Sequence, residues 1–78
     1  GVNRDYSQAT SWYEKAAIQG HAAAQTNLGM MYEFGKGIQK SEESAIQWYR
    51  KAALQKDQRA IRTLKFMKER GVFIEDGY

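Results

Sequence analysis

Few residues in this chain have the type and spacing that chemistry needs. His21 is the one imidazole among 78 residues, and there is no Cys, so neither a zinc site nor a Cys/His nucleophile pair can be assembled. Glu42 and Glu43 are adjacent, and neighbouring residues on a helix point in different directions, which suits neither a metal nor a general acid/base pair. Gly35 and Gly37 are followed by Ile38-Gln39-Lys40, which is not a phosphate-binding loop. No Gly-x-Ser-x-Gly or Ser-x-x-Lys pattern occurs. His21 follows Gly20 at a helix start, where a turn-stabilising role is expected rather than ligation. The sequence therefore predicts no catalysis, no cofactor and no metal.

What remains is binding chemistry. Net charge is +3, but residues 1–36 sum to zero, while Lys51 to Arg70 carries seven cations against Asp57 and Glu69. Such a basic run attracts nucleic acid or an acidic partner, or is simply the solvated face of a helix. Without Cys no disulfide staples the chain, and a single core this small is marginal. The longest apolar runs are only a few residues, such as Ala22 to Ala24, so no membrane span or signal peptide is expected. A soluble chain is expected, with its compartment unspecified.

The elements that position these groups are set by an internal repeat. Trp12-Tyr13-Glu14-Lys15-Ala16-Ala17-Ile18-Gln19 recurs 36 residues later as Trp48-Tyr49-Arg50-Lys51-Ala52-Ala53-Leu54-Gln55. The same offset pairs Gly1 with Gly37, Ala9 with Ala45, Ala24 with Ala60, Leu28 with Leu64, Met31 with Met67, Glu33 with Glu69 and Gly35 with Gly71. Six identities inside the motif and seven outside give 13 in 36 pairs, where chance gives about two. The chain is an internal duplication.

Each unit reads as two helices. Tyr6, Ala9, Tyr13 and Ala16 recur at helical spacing between Asp5, a candidate N-cap, and Gln19. Ala24, Leu28 and Met31 stripe a second helix over 21–34, ended by Gly35-Lys36-Gly37. Ser41 caps a third helix over 41–56. Ser44 three residues on is not the Glu or Gln of a full capping box. A fourth spans 57–70 with Ala60, Ile61, Leu64 and Met67 inside, and Gly71 follows as its stop. Small Ala residues let helices approach closely, with Trp12, Trp48, Tyr13, Tyr49 and Tyr32 expected to fill the gaps between layers. The expected class is all-α, an α-solenoid of antiparallel helix pairs over 1–71 with a tail over 72–78. The apolar residues of that tail either fold back on the last helix or begin a further element.

The run Ala24-Gln25-x-x-Leu28-Gly29-x-x-Tyr32-Glu33-x-Gly35-x-Gly37-Ile38, followed by Ala45-x-x-Trp48-Tyr49-x-Lys51-Ala52-Ala53-x-Gln55, resembles the Sel1-like repeat, a relative of the tetratricopeptide repeat. In that frame each repeat opens with a Leu-Gly-x-x-Tyr helix, helix A, and closes with a Trp-Tyr-x-Lys-Ala-Ala helix, helix B. The resemblance implies a B helix over 5–19, a whole repeat over 21–56 and a capping helix over 57–70, as in a piece of a longer array. Gly29 and Tyr32 become Lys65 and Lys68 in the last helix, so those positions are expected to face solvent.

The resemblance also implies function. Family members act as adaptors in membrane-associated complexes, in protein degradation and in the bacterial envelope, which leaves periplasm, envelope and cytoplasm open. By similarity to tetratricopeptide repeats, the A helices line a concave face. The partner-contacting residues are then Thr26, Asn27, Met30, Glu33 and Phe34 on the first A helix and Arg59, Arg62, Phe66 and Arg70 on the second, with Ala23 and Thr63 beside them. Met30 and Phe34 serve either that surface or a contact with an adjoining repeat. The expected role is a non-catalytic adaptor for a protein or peptide. The alternatives are an immunity or inhibitor protein that occludes a toxin and, behind it, a nucleic-acid binder using the Lys51–Arg70 run. Exposed solenoid ends also offer a surface for self-association.

Overall fold

The computed structural model describes the backbone of residues 2–71 and the side chains of residues 8–71. Four helices follow one another in the described residues, with no strand among them. They are α1 (Val2–Ile18), α2 (Ala22–Phe34), α3 (Glu42–Leu54) and α4 (Gln58–Glu69). Each packs on the next, so the chain forms an all-α, solenoid-like stack. The tail over 72–78 lies outside the described residues.

Local chemistry sets the boundaries. Ser41 is extended at φ −155, and its hydroxyl accepts the Ser44 amide at 3.2 Å. The Ser41 hydroxyl also donates to the Ser44 hydroxyl at 3.1 Å, where a full capping box would have a Glu. Asp57 plays the same part for α4, its carboxylate accepting the Ala60 amide at 3.1 Å. α2 ends at Gly35, which adopts φ 70 and bonds its amide to the Met31 carbonyl at 2.7 Å. A Cβ there would also meet the Lys40 side chain at 3.1 Å, so Gly35 answers both a left-handed backbone and a close approach.

One local expectation is corrected. α1 starts at Val2, so Asp5 sits inside the helix rather than at its N-cap. The equivalent Ser41 is pinned by its amide bonding the Tyr32 carbonyl of the preceding helix at 2.9 Å. His21 occupies the N-cap position of α2, but its side chain makes no capping bond. Only the His21 backbone secures the turn, through its amide on the Ala16 carbonyl at 3.1 Å and its carbonyl on the Gln25 amide at 3.0 Å.

The core is two clusters. Ala45, Tyr49, Ala52, Ala53, Ala60, Leu64 and Met67 join α3 to α4, and Ala17, Ala24 and Leu28 join α1 to α2. Tyr13, Tyr32 and Trp48 pack half-buried against the second cluster. Trp12 corrects the expectation that both Trp residues fill gaps: it is 76% exposed. Trp48, by contrast, packs half-buried on the α1–α2 cluster.

Gly29 carries the closest contact. A Cβ built on it would lie 2.7 and 2.8 Å from the Tyr49 ring and 3.2 Å from the Ala45 carbonyl oxygen. The absence of a Cβ lets the Tyr49 ring press against α2 at Gly29, completely buried. In the last helix the corresponding Lys65 is exposed, as is Lys68 at the Tyr32 position, in line with their polar character.

Candidate interaction surface

The surface formed by α2 and α4 is held in place by polar ties that cross between helices. Tyr49 of α3 donates its phenol proton to Glu33 Oε1 of α2 at 2.6 Å. Burial, and then the adjoining Glu33 carboxylate, push that phenol above its ordinary pKa. Gln25, buried in α2, donates to the Ala17 carbonyl at 3.1 Å and accepts from Gln55 at 3.1 Å. Gln55 also donates to the Gly20 carbonyl at 2.8 Å. One glutamine pair thereby registers α1, α2 and α3. Arg59 reaches from α4 to Asn27 Oδ1 and the Ala23 carbonyl, both at 3.4 Å, bridging the two A helices directly.

Two adjoining concavities meet on α2, the first against α1 and the second against α3 and α4. The first, of about 280 Å³, is lined by Tyr13, Asn27, Met30, Met31, Phe34 and Lys36. The second, of about 300 Å³, is lined by Met30, Glu33, Phe34, Tyr49, Arg62, Thr63 and Phe66. They share Met30 and Phe34. Phe34 is 62% and Phe66 59% exposed, so both present large apolar surface to solvent.

Of the nine residues expected to contact a partner, Asn27, Met30, Glu33, Phe34, Arg62 and Phe66 line these concavities. Arg70 stacks its guanidinium on the Phe66 ring at 5.6 Å, and Arg59 forms the bridge just described. Thr26 is the correction: it is wholly buried and presents nothing to a partner. It sits one turn from both Ala22 and Met30, and those two pack against the α3–α4 cluster. The contact with α4 therefore claims the Thr26 stripe, and the Thr26 hydroxyl has no hydrogen-bond partner among the described residues.

Tyr13, Met31, Lys36 and Tyr49 line the concavities without having been expected to. Tyr13 and Tyr49 read as core from their repeated position, and Lys36 read as part of a turn. The turn itself gives a signal: the Lys36 carbonyl lies 3.5 Å from the Thr10 hydroxyl, which folds the loop after α2 against α1. Among the described residues no cluster of acidic, His or Cys side chains is arranged to hold a metal ion, and no helix is long and apolar enough to cross a membrane.

The sequence profile of the Sel1 repeat matches residues 1–21 and 22–57. The chain belongs to the Sel1 repeat family. Sel1 repeats generally serve as protein–protein interaction modules without catalysis of their own. The chain is similar to a Sel1 repeat protein from Oxalobacter formigenes, whose crystal structure superposes with a TM-score of 0.84 at 38% identity. That match covers 92% of this chain and 29% of the other. It is also 53% identical over 34 residues to an uncharacterized protein of Neisseria meningitidis serogroup B, covering 44% of this chain and 7% of that protein. This chain thus spans a minor part of the length of both relatives.

Proposed function

We propose that this Sel1 array is a non-catalytic adaptor that takes a protein or peptide segment along the concave face formed by α2 and α4. The observation that carries the reading is the pair of adjoining concavities sharing Met30 and Phe34. An adaptable Met between exposed aromatics, flanked by Arg and Asn, matches the composition of interaction surfaces. Two connected hollows also suit an extended segment better than a single small ligand.

The test is a random-peptide display panned against the intact 78-residue chain. Selected peptides should bind Phe66→Ala more weakly by about fivefold or more, as expected for an aromatic anchor worth more than about 1 kcal/mol. The variant should melt as the parent does. Leu54→Ala, on the opposite side of the hairpin at an exposed position of α3, is the control. Peptides that lose affinity to Leu54→Ala and not to Phe66→Ala would move the surface to the B helices.

A further inference from the structure

We propose that this face recognises an acidic segment carrying one bulky apolar side chain, with the apolar group over α2 and the carboxylates over α4. The inference rests on the α2–α4 surface proposed above and adds the chemistry of its occupant.

The repeat itself supplies the argument. At the 36-residue offset, Ala23 becomes Arg59, Thr26 becomes Arg62 and Phe34 becomes Arg70. Three small or apolar positions of one A helix are cations in the next, and all three cations are exposed. α2 carries a single charged residue, Glu33, and that carboxylate is bonded by the Tyr49 phenol at 2.6 Å. The face therefore carries no cation on α2 and three on α4, of which Arg59 is already engaged by Asn27, the Ala23 carbonyl and Asp57.

Arg62 is the centre of the cationic half. It lines the second concavity beside Met30, Phe34 and Phe66, and it has no hydrogen bond or ion pair among the described residues. A guanidinium standing over apolar surface presents a planar fork of donors that fits a carboxylate in two-point contact. Arg70, resting on the Phe66 ring at 5.6 Å, is a second donor next to the same anchor. Lys36 edges the first concavity. An apolar side chain seated between Met30 and Phe34 places its flanking acidic residues toward these cations.

The same geometry argues for a peptide over a nucleic acid. Glu33 lines the second concavity with Arg62. A phosphodiester backbone carries charge at every nucleotide and would run against that carboxylate. A peptide presents amide N–H groups there, which a carboxylate accepts.

The experiment is fluorescence anisotropy with the full chain and four labelled probes: a Glu-rich peptide with one central Leu, its Glu→Gln analogue, its Leu→Ser analogue, and a single-stranded oligouridylate. The acidic Leu peptide should bind about tenfold more tightly than either analogue, and Arg62→Glu should remove about tenfold of that affinity, with Arg70→Ala losing less. Lys51→Glu on α3 should leave it unchanged. If the Glu→Gln analogue binds as well as the acidic peptide while Phe66→Ala still weakens both, the acidic class is wrong and the groove stands. If no peptide shows an affinity that depends on Phe66, the groove reading falls with it. If the oligouridylate binds more tightly than every peptide and is lost in Arg62→Glu, the face is a nucleic-acid surface and the proposal is overturned.

Discussion

Replacing Gly29 with Ala adds one methyl group and tests how closely α2 and α3 approach. Two effects oppose each other. Ala is favoured over Gly in a helix interior by about 1 kcal/mol. Against this, the new Cβ would stand 2.7 Å from the Tyr49 ring and 3.2 Å from the Ala45 carbonyl oxygen. The ring cannot swing away cheaply, because Tyr49 is fully buried and its hydroxyl is tied to Glu33 at 2.6 Å. The backbone oxygen moves only with the whole of α3. Overpacking of this kind costs about 1–3 kcal/mol, and a contact against both a buried ring and a main-chain atom belongs at the upper end. The net loss is then about 2 kcal/mol, which lowers the melting temperature of a domain this small by about 8–16 °C. Thermal unfolding followed by circular dichroism reads this directly. Lys65→Ala, at the corresponding exposed position of α4, should change stability by less than about 0.5 kcal/mol. A Gly29→Ala chain melting at or above the parent temperature would show that helix propensity wins, and the close α2–α3 contact would have to be abandoned.

Three further outcomes are expected. Tyr49→Phe removes the bond to Glu33 and should cost about 1–2 kcal/mol by urea unfolding. Because folding raises the Tyr49 pKa, the stability it contributes is intact below the unfolded value of about 10 and is lost as pH rises above it. Alkaline unfolding should therefore be steeper in the parent than in Tyr49→Phe, and equal slopes would contradict the buried phenol. Thr26→Val replaces a buried hydroxyl that has no partner among the described residues and should raise stability by about 1 kcal/mol in the same assay, whereas a loss would mean the hydroxyl is satisfied. Lys56 takes φ 67 where the first repeat has Gly20 at φ 97, so Lys56→Gly should stabilise by about 0.5–1 kcal/mol, and a lower melting temperature would refute backbone strain there.

Helix number and pairing were legible in the residues themselves. A 36-residue offset and a 3.6-residue stripe mark four helices and two pairs. The cap at Ser41 was legible from its side-chain chemistry, and Asp57 caps α4 in the same way. Periodicity also gave the exposed anchors Phe34 and Phe66, because they lie off the Leu28 and Leu64 stripes.

Tertiary packing decided the flanks of those stripes. The 3.6-residue period fixes the direction in which a side chain leaves its helix, but not whether another helix stands there. Thr26 and Phe34 both lie off the main stripe of α2, yet Thr26 is buried and Phe34 is exposed. The difference is that the Ala22–Met30 edge of α2 packs on the α3–α4 cluster. Trp12 and Trp48 are identical in register, yet Trp48 packs on the α1–α2 cluster and Trp12 is exposed. Burial belongs to a side chain and its neighbour together, so equal residues at equal repeat positions reach different environments.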